Sequence, residues 1–132
     1  MSANLYAAFR RRFPKTLEKP FVVTQDGTAV SYGEIERQSA QFANLLVSLG
    51  IRPGDRVAAQ VEKSPAVVSL YLGCLRAGAT YLPLNTAYTG EELDYFLSDA
   101  KPRLFVCDPS IQTSSVEDRK STRLNSSHPS IS

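Results

Sequence analysis

Residues 55–107 read DRVAAQVEKSPAVVSLYLGCLRAGATYLPLNTAYTGEELDYFLSDAKPRLFVC, and this stretch decides the fold. Pro53-Gly54-Asp55 makes a turn into Arg56-Val57-Ala58-Ala59-Gln60-Val61, whose β-branched and small residues suit a short strand. Ser64-Pro65 then supplies a cap and a first-turn proline for a helix. That helix carries Val67, Val68, Leu70, Tyr71, Leu72 and Leu75 to a stop at Gly78. Residues 79–84 form a second strand, apolar on both faces except at Thr80, with Pro83 marking where ladder pairing must be lost or bulged. Thr89 and Glu92 have capping-box spacing and open a helix with Leu93, Phe96, Leu97 and Ala100 on one side. Pro102 ends that helix, and residues 104–107 read as a third strand. Connections of this length are not hairpins. The order β-α-β-α-β therefore predicts three parallel strands with right-handed crossovers and helices covering the sheet.

Toward the amino terminus, Ser31 and Glu34 form another capping-box pair. The helix that follows presents Ile35, Phe42, Leu45, Leu46 and Leu49 inward and stops at Gly50. Before it, FVVTQDGTAVSY (residues 21–32) places β-formers on both sides of Asp26-Gly27, a pair suited to the positive φ angles of a hairpin turn. A first helix is expected with Leu5, Phe9 and Phe13 as its inward stripe and Arg10, Arg11 and Arg12 on its wet side. Those arginines, with no acid before Glu18, also have the look of a mitochondrial presequence, although a cytoplasmic protein is the expectation.

Toward the carboxyl terminus the pattern breaks. Residues 119–132, RKSTRLNSSHPSIS, are Ser-rich, lack apolar periodicity and hold the one histidine, His128. Their texture resembles translated adapter or vector read-through. They are expected to lie outside the domain, as a non-native or disordered tail, leaving residues 1–118 as an incomplete domain. The strand at 104–107 is then expected at an unprotected sheet edge.

Composition excludes several classes. The chain has 132 residues, 42% hydrophobic and 21% charged, with a formal charge of only +2. This is ordinary globular composition, with no net field to select nucleic acid or an anionic membrane. The most apolar run, residues 66–75, is far short of the ~18 residues of a membrane span. Cys74 and Cys107 sit in apolar segments without metal-clip or redox spacing, and read as core thiols in a reducing compartment.

The search for chemistry finds little. No Gly-rich loop ends in Lys-Ser/Thr, and no Gly-x-Gly-x-x-Gly follows a strand. No histidine falls within residues 1–118, so no acid–base or nucleophilic constellation can be built there on one. Glu91 and Glu92 suit a helix start, while Asp55 and Asp108 sit at a turn and a strand end. In open parallel sheets the ligand crevice lies beyond the carboxyl ends of the strands. Here that means Glu62, Lys63 and Ser64, then Asn85, Thr86 and Tyr88, then Asp108. Glu62-Lys63 also reads as a solvated pair and Ser64 as a cap; Asn85 and Tyr88 are the better candidates. No residue is assigned as catalytic, cofactor-binding or metal-ligating.

Three segments carry a resemblance: Ser31-Tyr32-Gly33-Glu34-Ile35, Gly54-Asp55-Arg56-Val57-Ala58, and Ala77-Gly78-Ala79-Thr80-Tyr81-Leu82-Pro83-Leu84-Asn85. In order and spacing they resemble landmarks of the adenylate-forming acyl-CoA synthetase superfamily. The longer stretch over residues 61–109 is most similar to the malonyl-CoA synthetases within it. The resemblance covers residues 1 to about 110. It implies the N-terminal part of the large α/β domain of such enzymes: a β-hairpin followed by a βαβαβ parallel-sheet unit with flanking helices. It further implies a parent that joins malonate to CoA through an acyl-adenylate, using ATP, Mg²⁺ and CoA. The phosphate loop, magnesium carboxylate, ribose-binding aspartate, catalytic lysine and malonate-binding arginine would all lie downstream. Arg56, Arg76 and Arg103 flank secondary structure and are expected at surfaces or in local pairs. The fragment alone is expected to be inactive. Alternatives are another short- or medium-chain acyl-CoA synthetase, a carrier-loading adenylation domain, or a non-catalytic α/β interaction module. Neither nucleic acid nor a membrane is expected as a partner, and the missing downstream part of the same domain is.

Overall fold

The structure, a computed structural model, describes residues 2–107 and 121–123. In chain order its elements are α1 (Ser2–Arg11), β1 (Pro20–Val23), β2 (Ala29–Ser31), α2 (Tyr32–Ser48), β3 (Arg56–Gln60), α3 (Pro65–Ala77), β4 (Thr80–Pro83), α4 (Gly90–Ala100), β5 (Leu104–Cys107) and β6 (Ser121–Arg123). β1 and β2 pair antiparallel as the expected hairpin, and the remaining strands form one parallel sheet in the order β4-β3-β5-β6.

Alternation along the strands sorts the core into two faces. Val57 and Ala59 of β3 and Leu104 and Val106 of β5 pack with Phe42 and Leu46 of α2 and Leu70 and Cys74 of α3. Ala58, Phe105 and Cys107 point the other way, onto Leu93 and Leu97 of α4. The chain steps from β3 to β4 on one side, then past β3 to β5 on the other, so crossovers of one hand place α3 and α4 on opposite faces. β4 is an edge strand, half-exposed, which is where a proline is tolerated: Pro83 stands opposite Ala59, and Leu84 N–H resumes the ladder to Ala59 O at 2.8 Å. Apolar on both faces in sequence, β4 is nonetheless only half-buried, with β3 as its one neighbour among the described residues.

α2 and α3 approach so closely that a Cβ on Gly73 would lie 2.6 Å from Phe42 Cβ. Gly73 is thus a packing residue. Gly78 ends α3 in the left-handed region at φ 80°, with its N–H on Cys74 and Leu75 carbonyls. The start of α2 is stitched to the chain before the hairpin: Tyr32 N–H bonds Lys19 O at 3.0 Å, Gly33 N–H bonds Leu17 O at 2.8 Å, and Glu34 N–H bonds Ser31 Oγ at 3.1 Å. This satisfies three N–H groups that a helix start leaves open. Only half of the expected capping box forms, since the Glu34 carboxylate pairs with Arg37 one turn on. At α4 and α3 the caps Thr89 and Ser64 have extended backbones but make no side-chain cap bond.

Three sequence expectations are corrected. On α1, Leu5 and Phe9 are 44% and 41% exposed, while Tyr6 on another side of the helix packs toward α2 and α3. Nor do the arginines all face water: Arg10 pairs with Glu36 and lies over the Phe13 ring. The reason is Arg76, whose guanidinium stacks on the Tyr6 ring at 4.5 Å and donates to Tyr6 Oη, Glu36 O and Ser39 Oγ. Finally, β5 is not a bare edge. Phe105, Val106 and Cys107 stand opposite Ser121, Thr122 and Arg123 of β6, inside the segment expected to lie outside the domain.

Candidate functional site

β3 and β4 are neighbours whose following helices leave to opposite faces of the sheet, so the chain parts beyond their carboxyl ends. Such a switch point is where open parallel sheets form their ligand crevice. The residues there come from the β3–α3 loop and the β4–α4 loop.

In the first loop, Glu62 and Lys63 are exposed and Ser64 is half-buried at the head of α3. The second loop is ordered by its own bonds. Tyr88 N–H closes a turn onto Asn85 O at 3.1 Å, and Asn85 Oδ1 accepts from Ala87 N–H at 2.8 Å. The Tyr88 ring then stacks on Phe96 of α4, centroids 4.8 Å apart and planes at 19°. Tyr95, 65% exposed, meets Phe96 edge-on. Of the expected loop residues, Asn85, Thr86 and Tyr88 thus share one organised turn, with Asn85 and Thr86 exposed and Tyr88 half-buried. Asp108 lies outside the described residues.

Sequence reasoning passed over the residue beneath this turn. Gln60, the last residue of β3, is 1% exposed and donates through Nε2 to Asn85 O at 2.9 Å and Tyr88 O at 2.8 Å. The signal was present in R-V-A-A-Q-V, where a long polar side chain interrupts an otherwise apolar central strand.

Of the three arginines expected at surfaces or in local pairs, two make structural bonds, and Arg76 departs from that expectation by being half-buried with distant partners. Arg56 donates to Ala100 O at 2.7 Å, closing the carboxyl end of α4; Arg76 ties α1 to α2; Arg103 is exposed beside β5. Burial pushes the Cys74 thiol up to about 12, and burial plus the neighbouring Cys74 does the same for Tyr81. Cys74 is therefore a neutral core group and not a nucleophile.

Two further concavities lie away from the strand ends. One of about 460 Å³ is lined by residues including Gly33, Glu36, Arg37 and Arg76, and one of about 290 Å³ by rings including Phe9, Phe13, Phe21, Tyr32 and Tyr71. Among the described residues no group of three or more His, Cys, Asp or Glu could hold a metal ion. Gly27, Gly54, Gly78 and Gly90 all adopt positive φ in separate turns and caps, and no run of them builds a phosphate cradle. The residues present therefore do not fit ATP or Mg²⁺ as a site of their own. No described helix is long and apolar enough to cross a membrane.

The described chain is thus a parallel sheet with helices on both faces, preceded by a hairpin and two helices. The AMP-binding enzyme family model matches residues 9–131, and the chain belongs to that family. The apo structure of MatB from Rhodopseudomonas palustris superposes with a TM-score of 0.85 at 42% identity, over 95% of this chain and 26% of that one. A feruloyl-CoA synthase from Amycolatopsis is 39% identical over 87 residues, 66% of this chain and 18% of the relative. A dimodular nonribosomal peptide synthase from Bacillus subtilis is 34% identical over 93 residues, 70% of this chain and 4% of the relative. The chain thus spans about a quarter or less of the proteins it matches.

Proposed function

We propose that the chain is the amino-terminal scaffold of an ATP-dependent acid–CoA ligase whose acid is malonate. The observation that carries this reading is the likeness to MatB, a malonyl-CoA synthetase, which runs over nearly the whole chain at 42% identity.

The reaction proceeds in two displacements. A carboxylate oxygen attacks the α-phosphorus of ATP, forming the acyl–phosphate P–O bond and releasing pyrophosphate. The CoA thiolate then attacks the acyl carbonyl, forming the thioester as the C–O bond to AMP breaks. Each step builds charge on phosphoryl or carbonyl oxygens that cations and fixed donors must stabilise. This segment supplies the parallel sheet and one wall of the crevice, and the charge-stabilising groups belong to chain beyond it.

The test is the continuous reading frame of the source gene, followed by expression of the whole protein. Malonate-dependent and CoA-dependent AMP formation is expected. A frame without a phosphate loop and a carboxyl-terminal lysine would sink the reading, as would turnover of ferulate or benzoate in preference to malonate. The same frame decides whether residues 119–132 belong to the natural protein. A second reading is favoured by the peptide-synthase relative: a domain that loads its acyl group onto a carrier-bound pantetheine. It predicts acylation of a carrier protein and no discharge to free CoA.

A further inference from the structure

Gln60 is out of place by the rules of a core strand. Val57, Ala58 and Ala59 before it are buried and apolar, and Gln60 is as deeply buried as they are. Among the described residues, three polar side chains are buried. Ser39 bonds Glu36 O, and Ser69 bonds Gln38. Gln60 spends both amide hydrogens on the turn at residues 85–88 and leaves Oε1 without a hydrogen-bond partner among the described residues. A buried acceptor left unmade costs about 1–3 kcal/mol. At one end of the turn the bond is not needed for satisfaction, because Asn85 is exposed and its carbonyl already accepts from Tyr88 N–H. An apolar side chain here would extend the packing of Ala58 and Phe105 under α4. What Gln60 supplies is position. It pins both ends of the turn to the rigid central strand, and with them the backbone that carries the Tyr88 ring onto Phe96.

We propose that Gln60 is a positioning residue for substrate: it anchors the turn at residues 85–88, and with it the stacked Tyr88 and Phe96 rings, beyond the carboxyl ends of β3 and β4, where open parallel sheets bind their ligands. Native proteins retain a buried, half-satisfied polar group where function outweighs its cost in stability. The substrate part of the inference rests on the ligase reading above. The geometric part does not.

The whole enzyme is compared as wild type, Gln60→Met and Gln60→Glu, following carboxylate-dependent pyrophosphate release. Methionine keeps the length and apolar bulk but donates nothing to the turn. KM for the carboxylate or for CoA is expected to rise about tenfold in Gln60→Met, a shift in scale with small misplacement of a binding wall. kcat is expected to change much less. A protein that has only lost folded material shows the reverse, a lower kcat at unchanged KM. In Gln60→Glu a protonated carboxyl still donates to one of the two carbonyls, and burial beside carbonyl oxygens raises its pKa. KM should approach the wild-type value at low pH and climb as the carboxyl ionises, a profile absent from wild type and Gln60→Met. Unchanged KM for both substrates in both variants overturns the proposal. If the wild-type enzyme releases no pyrophosphate with any carboxylate, the ligase reading fails. The positioning is then read from the ring-current shifts of Tyr88 and Phe96, where movement in Gln60→Met supports it and identical shifts overturn it.

Discussion

The two faces of the parallel sheet are built to different depths. On one, α2 and α3 lie side by side over β3 and β5, and α1 and the hairpin close over their outer side through Tyr6, Val30, Ile35, Val68, Tyr71, Leu72 and Leu75. On the other, α4 alone covers Ala58, Phe105 and Cys107. The thick face is locked from behind by the Arg76–Tyr6 stack and the stitched start of α2. The thin face has one helix over it among the described residues, and the loop leading into that helix is tied to the central strand by a buried polar side chain. The difference teaches that one face is held by layered helix packing and the other holds its loop by a side-chain tether.

The largest effect should come from truncating equivalent leucines. Leu70 and Leu97 are each 1% exposed, the first between α2 and the sheet, the second beneath α4. A cavity costs more where its surroundings cannot collapse, so Leu70→Ala should lose about 4 kcal/mol and Leu97→Ala about 2–3 kcal/mol. Urea unfolding midpoints give both values. Equal losses would mean that α4 is held as rigidly as α3.

Next in size is Gly73→Ala. The new methyl would meet Phe42 Cβ at 2.6 Å, with Ser39 O and Ala43 N at 3.1 and 3.2 Å, all on a helix that cannot retreat. Overpacking of this kind costs about 1–3 kcal/mol. The thick face should therefore be hurt by added volume as well as by lost volume. Phe42→Leu keeps the Cβ that the methyl meets and should bring no relief; recovery of the melting temperature in the double mutant would mean that the ring, and not the close approach of the two helices, carries the defect.

Smaller again is the contrast between two helix starts that look alike in sequence. Ser31-x-x-Glu34 and Thr89-x-x-Glu92 share one pattern, yet Ser31 Oγ accepts from Glu34 N–H while Thr89 makes no side-chain cap bond. Ser31→Ala should cost about 1 kcal/mol and Thr89→Ala a few tenths, within the range for helix caps. Comparable losses at both sites would show that the α4 cap forms in solution.

These pairs show where legibility ended. Asp26-Gly27, Pro65 and Gly78 punctuate the chain where local backbone chemistry demands it, and the hairpin, α3 and the parallel order followed from them. The stripe of Leu5, Phe9 and Phe13 misled because periodicity identifies a face without saying whether anything lies against it. Tyr6 won through a cation–π partner at Arg76, seventy residues away. The loops beyond β3 and β4 were legible from topology, and the structure draws Asn85 and Tyr88 into one turn there. Gln60 was not, because its meaning depends on which loop carbonyls arrive above it. β6 was missed for a similar reason: a three-residue strand in Ser-rich sequence leaves no periodic trace, and only the open ladder of β5 gives it a place.

The smallest expected effect tests the outer layer of the thick face. Asp26 accepts from Thr28 N–H at 3.0 Å and from the Thr24 hydroxyl, which holds its carboxyl at about 2, below the ordinary carboxylate value. A depressed folded-state pKa means the stabilisation is complete above the unfolded value near 4 and is lost as pH falls through about 2. Asp26 is fully exposed, so solvent keeps the contribution small. In Asp26→Asn the amide oxygen still accepts both bonds but carries no titrating charge. The Thr28 amide chemical shift should then titrate with a midpoint near pH 2 in the wild type and stay flat in the variant. If it titrates in both, the hairpin opens for another reason, and the outer layer of the thick face is less firmly seated than Tyr6 and Arg76 imply.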